Sequence, residues 1–366
     1  MTGGGIALAC VSSRLDNYSW GNALSRLSLP CRDVYFTPAY HELHVANGDG
    51  EAFCTSVSEG GAVLLVPGLR TPISVSRRGY TSSYSDVQSC NGYGGPLASQ
   101  DATHDFLEEA WAEWRRRCSA EGIVAAFFRL HPVLDNKRWL PADTRVVLDR
   151  QTVLVDLTDG LEAAWQRTDP RHRNMVRKGK RENACVRWDD PNGWDEFESL
   201  YQEAMARLEA PQSLRFSPAY FAGLRDLAGA ELACVRTGGK LDAAAVFMFG
   251  PCWSHYHLSA RRADSGNHLT NCILQAAIER TAQRGLSGVH LGGGRSRDPL
   301  DRLLKFKLSL GGRLLDFRVA LVIADADAYN DFCRQWADEV GAMPEWLMGY
   351  RQPKPKSHSC SQQADS

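Results

Sequence analysis

The sequence predicts an α/β (α+β) fold made of two copies of one unit, each a mixed, mainly antiparallel central sheet flanked by helices. Three observations lead there. The chain has 366 residues, enough for two cores of ordinary size. A pair of strand-like runs around a glycine turn occurs once in each half. Each pair is followed, after an interval, by a helix and a further strand in the same order.

In the first half, Glu59-Gly60-Gly61 separates the runs 51–57 and 62–67, the pattern of a β-hairpin. A helix over 105–120 carries Phe106, Ala110, Trp114 and Cys118 near one face, and Gly122 stops it before a strand at 123–130. In the second half, Gly238-Gly239 separates 231–236 from 241–249, and a strand at 252–259 follows Gly250-Pro251. Its helix is expected to start at Thr270 as N-cap and run to Arg284, with Gly285 as C-cap and a strand at 288–291. Between the halves a strand at 152–156 leads through Asp159-Gly160 into a helix, with a second helix from about Arg171. Trp194, Phe197, Tyr201, Ala204 and Leu208 recur at helical spacing, and Ser217-Pro218 opens another helix. A strand at 314–323 and a helix at 326–340 close the fold. The polar tail 351–366 is expected to be disordered.

Composition narrows the function. Hydrophobic residues make up 43% and charged residues 23%, the balance of a globular protein. No run approaches the ~20 apolar residues of a membrane helix. Met1-Thr2-Gly3-Gly4-Gly5 shows no basic segment ahead of an apolar run, so a cytoplasmic location without membrane contact is expected. The 11 cysteines are scattered without a Cys-x-x-Cys pair, which favours reduced, buried thiols. A net charge of −1 gives no overall attraction to nucleic acid, so any RNA must be held by a local patch.

Five segments could carry chemistry. Residues 167–181 hold seven Lys or Arg, and Arg173, Arg177, Lys180 and Arg181 fall on one helical stripe, with Lys178 beside it, suited to successive phosphates or to a solvated face. In the strand around 254–259, His255 and His257 share a face and Tyr256 points to the other; either histidine could be a general base or a packed core ring. No third ligand stands at a recognisable spacing, so no metal is expected. His290-Leu291-Gly292-Gly293-Gly294-Arg295 ends a strand in three glycines, which allow a close backbone approach or simply a turn. Lys305, Phe306 and Lys307 lie in an apolar helical run before Gly311-Gly312; a lysine among apolar neighbours needs an anionic partner or must reach the surface. Finally, Tyr84, Asp86 and Tyr93 belong to an aromatic, glycine-rich loop over 80–97 that suits a substrate cleft or ordinary loop packing.

Several stretches together resemble the Fem-type peptidyltransferase family and its GNAT-fold relatives: 33–38, 92–97, 127–132 (with Arg129), 155–157, 173–180, 255–258, 290–294, Phe306-Lys307 and Gly311-Gly312, in the family's order. The resemblance implies tandem GNAT-like domains: 1–150 as the acceptor side, joined by 325–350, and 151–324 as the donor and transfer side. It implies transfer of an amino acid from aminoacyl-tRNA onto an amine of a peptidoglycan precursor or a peptide-like natural product. Phe306 and Lys307 then sit in a tunnel, with Lys307 near the tRNA 3′ end and the developing oxyanion, and His257 or Asp86 or the substrate removes a proton. Arg173, Arg177, Lys178, Lys180, Arg181, Lys305, Arg295, Gly292 and Gly293 would serve the donor; Tyr84, Asp86, Tyr93, Arg129, His255 and Tyr256 would serve the acceptor. No cofactor is expected. Acyl-CoA as the alternative donor is disfavoured because 261–268 lacks the spacing of a pyrophosphate loop. A non-catalytic binding protein of the same fold is a further alternative.

Overall fold

The computed structural model describes residues 11–12, 15–73, 84–188 and 190–354. The segment 80–83 of the aromatic loop and residues 355–366 of the tail lie outside the described residues, as does the start of the chain, whereas Arg351, expected in a disordered tail, ends a short turn and bonds to Asp86.

In chain order the elements are β1 (Val11–Ser12), α1 (Asn17–Ser25), α2 (Pro38–Asn47), β2 (Glu51–Glu59), β3 (Ala62–Pro72), β4 (Ser85–Gln88), β5 (Leu97–Ala98), α3 (His104–Ala120), β6 (Ile123–Arg129) and β7 (Arg145–Asp156). Then come α4 (Leu161–Arg167), α5 (Pro170–Arg181), β8 (Val186–Trp188), α6 (Gly193–Arg207), α7 (Pro218–Asp226), β9 (Ala230–Thr237), β10 (Lys240–Phe249) and β11 (Trp253–Arg261). The chain continues with α8 (His268–Gln283), β12 (Gly288–Gly293), α9 (Arg302–Leu308), β13 (Arg313–Ile323) and α10 (Ala326–Val340).

The same motif occurs twice. Strands β2, β3 and β4 form an antiparallel meander, and α3 returns the chain to β6, which runs parallel to β4. Likewise β9, β10 and β11 are antiparallel, and α8 returns the chain to β12, parallel to β11. The strand that follows each motif is then given to the other: β7 pairs with β12, β13 pairs with β6, and β7 and β13 pair with each other at the centre. The described strands thereby form one continuous, mainly antiparallel sheet.

Helices cover both faces. Thr103 accepts from the Phe106 amide to cap α3, which buries Phe106, Ala110, Trp111, Trp114 and Cys118 against β2, β3 and β6. Each such large apolar side chain contributes about 1.5–3 kcal/mol by leaving water. On the opposite face of this half, Phe332 of α10 packs with Val124, Leu321 and Tyr350. In the second half α6 and α7 cover one face with Phe197, Tyr201, Tyr220 and Phe221, and α8 covers the other with Ile273, Leu274 and Ile278. Among the described residues no helix is long and apolar enough to cross a membrane. The described cysteines are all free thiols.

Two local expectations need correcting. The helix expected at Thr270 begins at His268, because the His268 ring lies 3.1 Å from Glu182 at the end of α5 and draws the first turn back; Gly285 sits one position past the C-cap Arg284. Residues 85–88, read as loop, form a strand, paired with β3 and β6 and tied through Asp86 to Tyr350 and Arg351.

Candidate functional site

Strands β11 and β12 pair in parallel only through Trp253 with Gly288, Ser254 with Val289, and His255 with His290. Beyond that point β11 stays with β10, while β12 continues along β7. The sheet therefore opens as a V just past His255 and His290. Such a parting at the carboxyl ends of parallel strands is where open sheets accept ligands.

Lys307 fills this opening. Asp301 caps α9 through the amides of Leu303 and Leu304, and also accepts from the amides of Arg295 and Ser296, which fixes the loop after β12 to the start of α9. The Lys307 side chain is only 7% exposed, and its Nζ donates to the Gly293 carbonyl at 2.8 Å. Gly292 makes room: its φ is +71°, and a Cβ there would sit 3.4 Å from Lys307 Nζ and 3.7 Å from Tyr93 Oη. Nζ lies 5.6 Å from the centre of the Tyr256 ring, and Tyr93 Oη borders the same Gly292 position. Burial lowers the Lys307 pKa to about 8, against the opposing pull of Asp301. Near neutral pH the amine is thus still mostly ammonium, and it loses its charge as pH rises through about 8.

Behind Lys307 lies a buried polar cluster. The Tyr93 ring meets His290 edge-on at 4.9 Å, Tyr35 at 5.2 Å and Phe317 at 5.3 Å. His255 lies 5.7 Å from His290 and 5.6 Å from His131, ring to ring. Its Nε2 is 2.9 Å from Asp33 Oδ2, and His131 Nε2 is 3.8 Å from Asp33 Oδ1. Gly250 permits the carboxylate's approach, since a Cβ there would lie 2.9 Å from Asp33 Oδ2. Burial works to raise the Asp33 carboxyl, but His255 and His131 hold it below the usual range. Burial lowers His131 to about 4 and His290 well below its ordinary value, so both rings are neutral.

The other candidates are distributed as follows. Tyr256 and Arg295 line a cavity of about 220 Å³ together with Met205 of α6, Ala245 of β10 and Ile273 of α8. Phe306 is half-buried against the α8 core, its ring 6.4 Å from His172. Lys305 faces outward on α9 and shares a surface groove with Arg167, Asp169 and Arg173. Arg177, Lys178, Lys180 and Arg181 are carried on α5, which buries His172, Val176 and Gly179 against α8.

His257 goes elsewhere. A bulge in the β10–β11 pairing sets two β11 residues, His257 and Leu258, against Val246, and His257 Nε2 meets Tyr220 Oη at 2.8 Å. Burial lowers its pKa to about 3. Asp86 is fully buried with Tyr350 and Arg351, and Tyr84 packs edge-on against Phe332. Arg129 lines a different cavity with Gln88, Arg145, Asp149, Trp346 and Arg351. Thus Lys307, Gly292, Gly293, Tyr93, His255 and Tyr256 meet, whereas His257, Tyr84, Asp86 and Arg129 do not join them.

Asp33, Tyr35, His131 and His290 had no role assigned from sequence, although all lie in stretches that carry the family resemblance. Their signal was hidden because Asp33 reads as a cap for the short turn Val34–Phe36, whose Tyr35 amide it does accept.

The fold is of the Fem-type, GNAT-like class. FemX superposes with a TM-score of 0.66 at 13% identity, covering 86% of this chain and 98% of that one. L-PGS from Bacillus licheniformis gives 0.55 at 12% identity, covering 83% and 91%. The C-terminal domain of a protein described as a lysylphosphatidylglycerol synthetase from Agrobacterium fabrum gives 0.54 at 16%, covering 86% and 94%. No family model and no curated protein matches the sequence.

Proposed function

We propose that this chain is an acyltransferase, and specifically one that moves an aminoacyl group from aminoacyl-tRNA onto an amine of a small or peptide-like acceptor in the cytoplasm. The observation that carries the reading is the buried Lys307, held at the parting of two strands by a backbone carbonyl. A cation there can stabilise the oxyanion that forms when an amine attacks an ester carbonyl. An aminoacyl ester is already activated, so positioning and charge stabilisation suffice.

Helix α9 supports an RNA donor. Lys307 turns into the V while Lys305, two residues earlier, faces the groove with Arg167 and Arg173. One short helix thereby links a phosphate-binding surface to the transfer point. The name lysylphosphatidylglycerol synthetase, carried by one protein of this fold, likewise describes an aminoacyl product. Coenzyme A is disfavoured because the start of α8 is occupied: Glu182 meets His268 there, and Arg261 turns inward to Ser265 and Asn267. An anionic pyrophosphate would face a carboxylate at that position.

The test incubates the protein with mixed charged tRNAs and candidate amines and follows amide products by mass spectrometry. Ribonuclease-sensitive product is expected. Product that persists after ribonuclease, or a calorimetric signal with coenzyme A, would replace the RNA donor by a thioester.

A further inference from the structure

Three imidazole nitrogens in the cluster behind Lys307 have no hydrogen-bond partner: His131 Nε2, His255 Nδ1 and His290 Nε2. Buried polar atoms are nearly always bonded, so three such atoms on neighbouring rings mark a place to which something comes. The chemistry of the set suits either a cation or a proton.

Asp33, His131 and His255 bring one ligand atom each to within 4.8 Å of one another, a two-histidine, one-carboxylate set that could take a divalent metal. The hydrogen bonds around the rings argue for the proton. A metal-bound imidazole donates its second N–H to an acceptor. His131 Nδ1 does the reverse and accepts from the Leu134 amide at 3.2 Å, so the neutral ring carries its hydrogen on Nε2, towards Asp33. His255 Nδ1 has no acceptor at all. With Asp33 Oδ2 receiving the His255 Nε2 hydrogen at 2.9 Å, His255 Nδ1 is left with an unshared, buried lone pair. A carboxylate that fixes the tautomer of a histidine in this way creates a base and stabilises the imidazolium that results.

We propose that His290, His255 and Asp33 form a proton relay behind Lys307, in which His255 holds the proton that the attacking amine loses. The proposal rests on the aminoacyl-transfer reading above. The amine nitrogen forms a bond to the ester carbonyl carbon, the bond from that carbon to the ribose oxygen breaks, and the proton leaves nitrogen for His255. It then returns to the departing oxygen, so the products are an amide and a free hydroxyl. Asp33 is a positioning residue that keeps the lone pair on Nδ1. His290, in register with His255 and edge-on to Tyr93, bridges towards the Lys307 side.

The test uses Asp33→Asn with hydroxylamine as the acceptor probe and mixed aminoacyl-tRNA as donor, reading the hydroxamate formed above the protein-free rate. The carboxamide introduced by this substitution offers an N–H to His255 Nε2 and pushes the ring proton onto Nδ1. The expected outcome is a roughly 10²–10⁴-fold fall in kcat with both KM values within about threefold. His255→Gln should behave alike and serves where Asp33→Asn fails to fold. Two-bond ¹⁵N–¹H spectra of the full chain, which need no turnover, should show His255 protonated on Nε2 in the wild type and on Nδ1 in Asp33→Asn. Wild-type hydroxamate formation with both variants unimpaired overturns the relay and leaves the transfer reading standing. A wild-type His255 protonated on Nδ1, or one equivalent of zinc retained by the wild type and lost from Asp33→Asn, also overturns it. No hydroxamate above the protein-free rate from any charged tRNA, with the expected tautomers observed, sinks the transfer reading and removes the amine as the relay's proton source.

Discussion

Lys307 donates a 2.8 Å hydrogen bond to the carbonyl of Gly293, fourteen residues earlier at the end of the strand that borders the V. A neutral backbone oxygen orients a buried amine without neutralising it, so the positive charge stays available for an oxyanion. Lys307→Ala is therefore expected to lower kcat about 10²–10³-fold while the donor KM moves less than about threefold. In the wild type the rate should fall as pH rises through about 8, where the ammonium is lost. Steady-state kinetics across pH checks both.

The same burial makes the lysine costly to the fold. Its pKa is about 8 folded against 10.5 for the free side chain, so between these values the unfolded chain binds more protons and wild-type stability rises with pH. Lys307→Met should lose activity as Lys307→Ala does, yet have a Tm equal to or above the wild type at pH 7. The gap should close between about 8 and 10.5, as followed by thermal denaturation in a pH series.

Gly292 is required by its positive φ of +71°. Gly292→Ala is expected to cost about 1–2 kcal/mol in urea unfolding. It should also reduce kcat more than it weakens donor binding, because relief of the positive φ shifts the adjoining Gly293 carbonyl that orients Lys307 Nζ.

For the groove beside α9, Arg173→Glu and Lys305→Glu should each weaken tRNA binding by about tenfold or more at low salt. The slope of log Kd against log salt should drop by roughly one per residue. Fluorescence anisotropy at several salt concentrations measures this, and turnover at saturating tRNA should be largely retained.

Arg351 joins the end of the described chain to the first half, donating to both the Asp86 carboxylate at 2.6 Å and the Thr71 and Pro72 carbonyls at 3.1 Å. Burial raises the Asp86 carboxyl more than Arg351 and Tyr350 lower it, so this charge depends on its partners. Arg351→Met should destabilise the protein by about 2–3 kcal/mol, and pairing it with Asp86→Asn should recover part of the loss in a double-mutant cycle.

Local patterns revealed much of this structure. The glycine turns at 60–61 and 238–239, the amphipathic helix ending before Gly122, and the apolar strand ahead of α10 all follow from spacing and from residues that tolerate positive φ. Lys307 and its glycines stood out because a lysine in an apolar run needs a reason. What spacing could not reveal is pairing across long separations. Asp33 and His255 are 222 residues apart and Asp86 and Arg351 are 265 apart, and neither partner alone signals the other. The His257 misassignment has a different cause: strict alternation places it beside His255, but a single extra residue in β11 turns it to Tyr220. Strand exchange was equally hidden, since β7 and β13 look like ordinary apolar strands whichever neighbour they take.

That exchange has an evolutionary corollary. Had the ancestor been a duplicated single-motif gene, each copy would originally have closed its own sheet. Once the final staves were traded, neither half could be deleted, secreted separately or recombined with a foreign partner without leaving two open edges. Descendants could diversify their pockets and surfaces freely, but only as an inseparable couple.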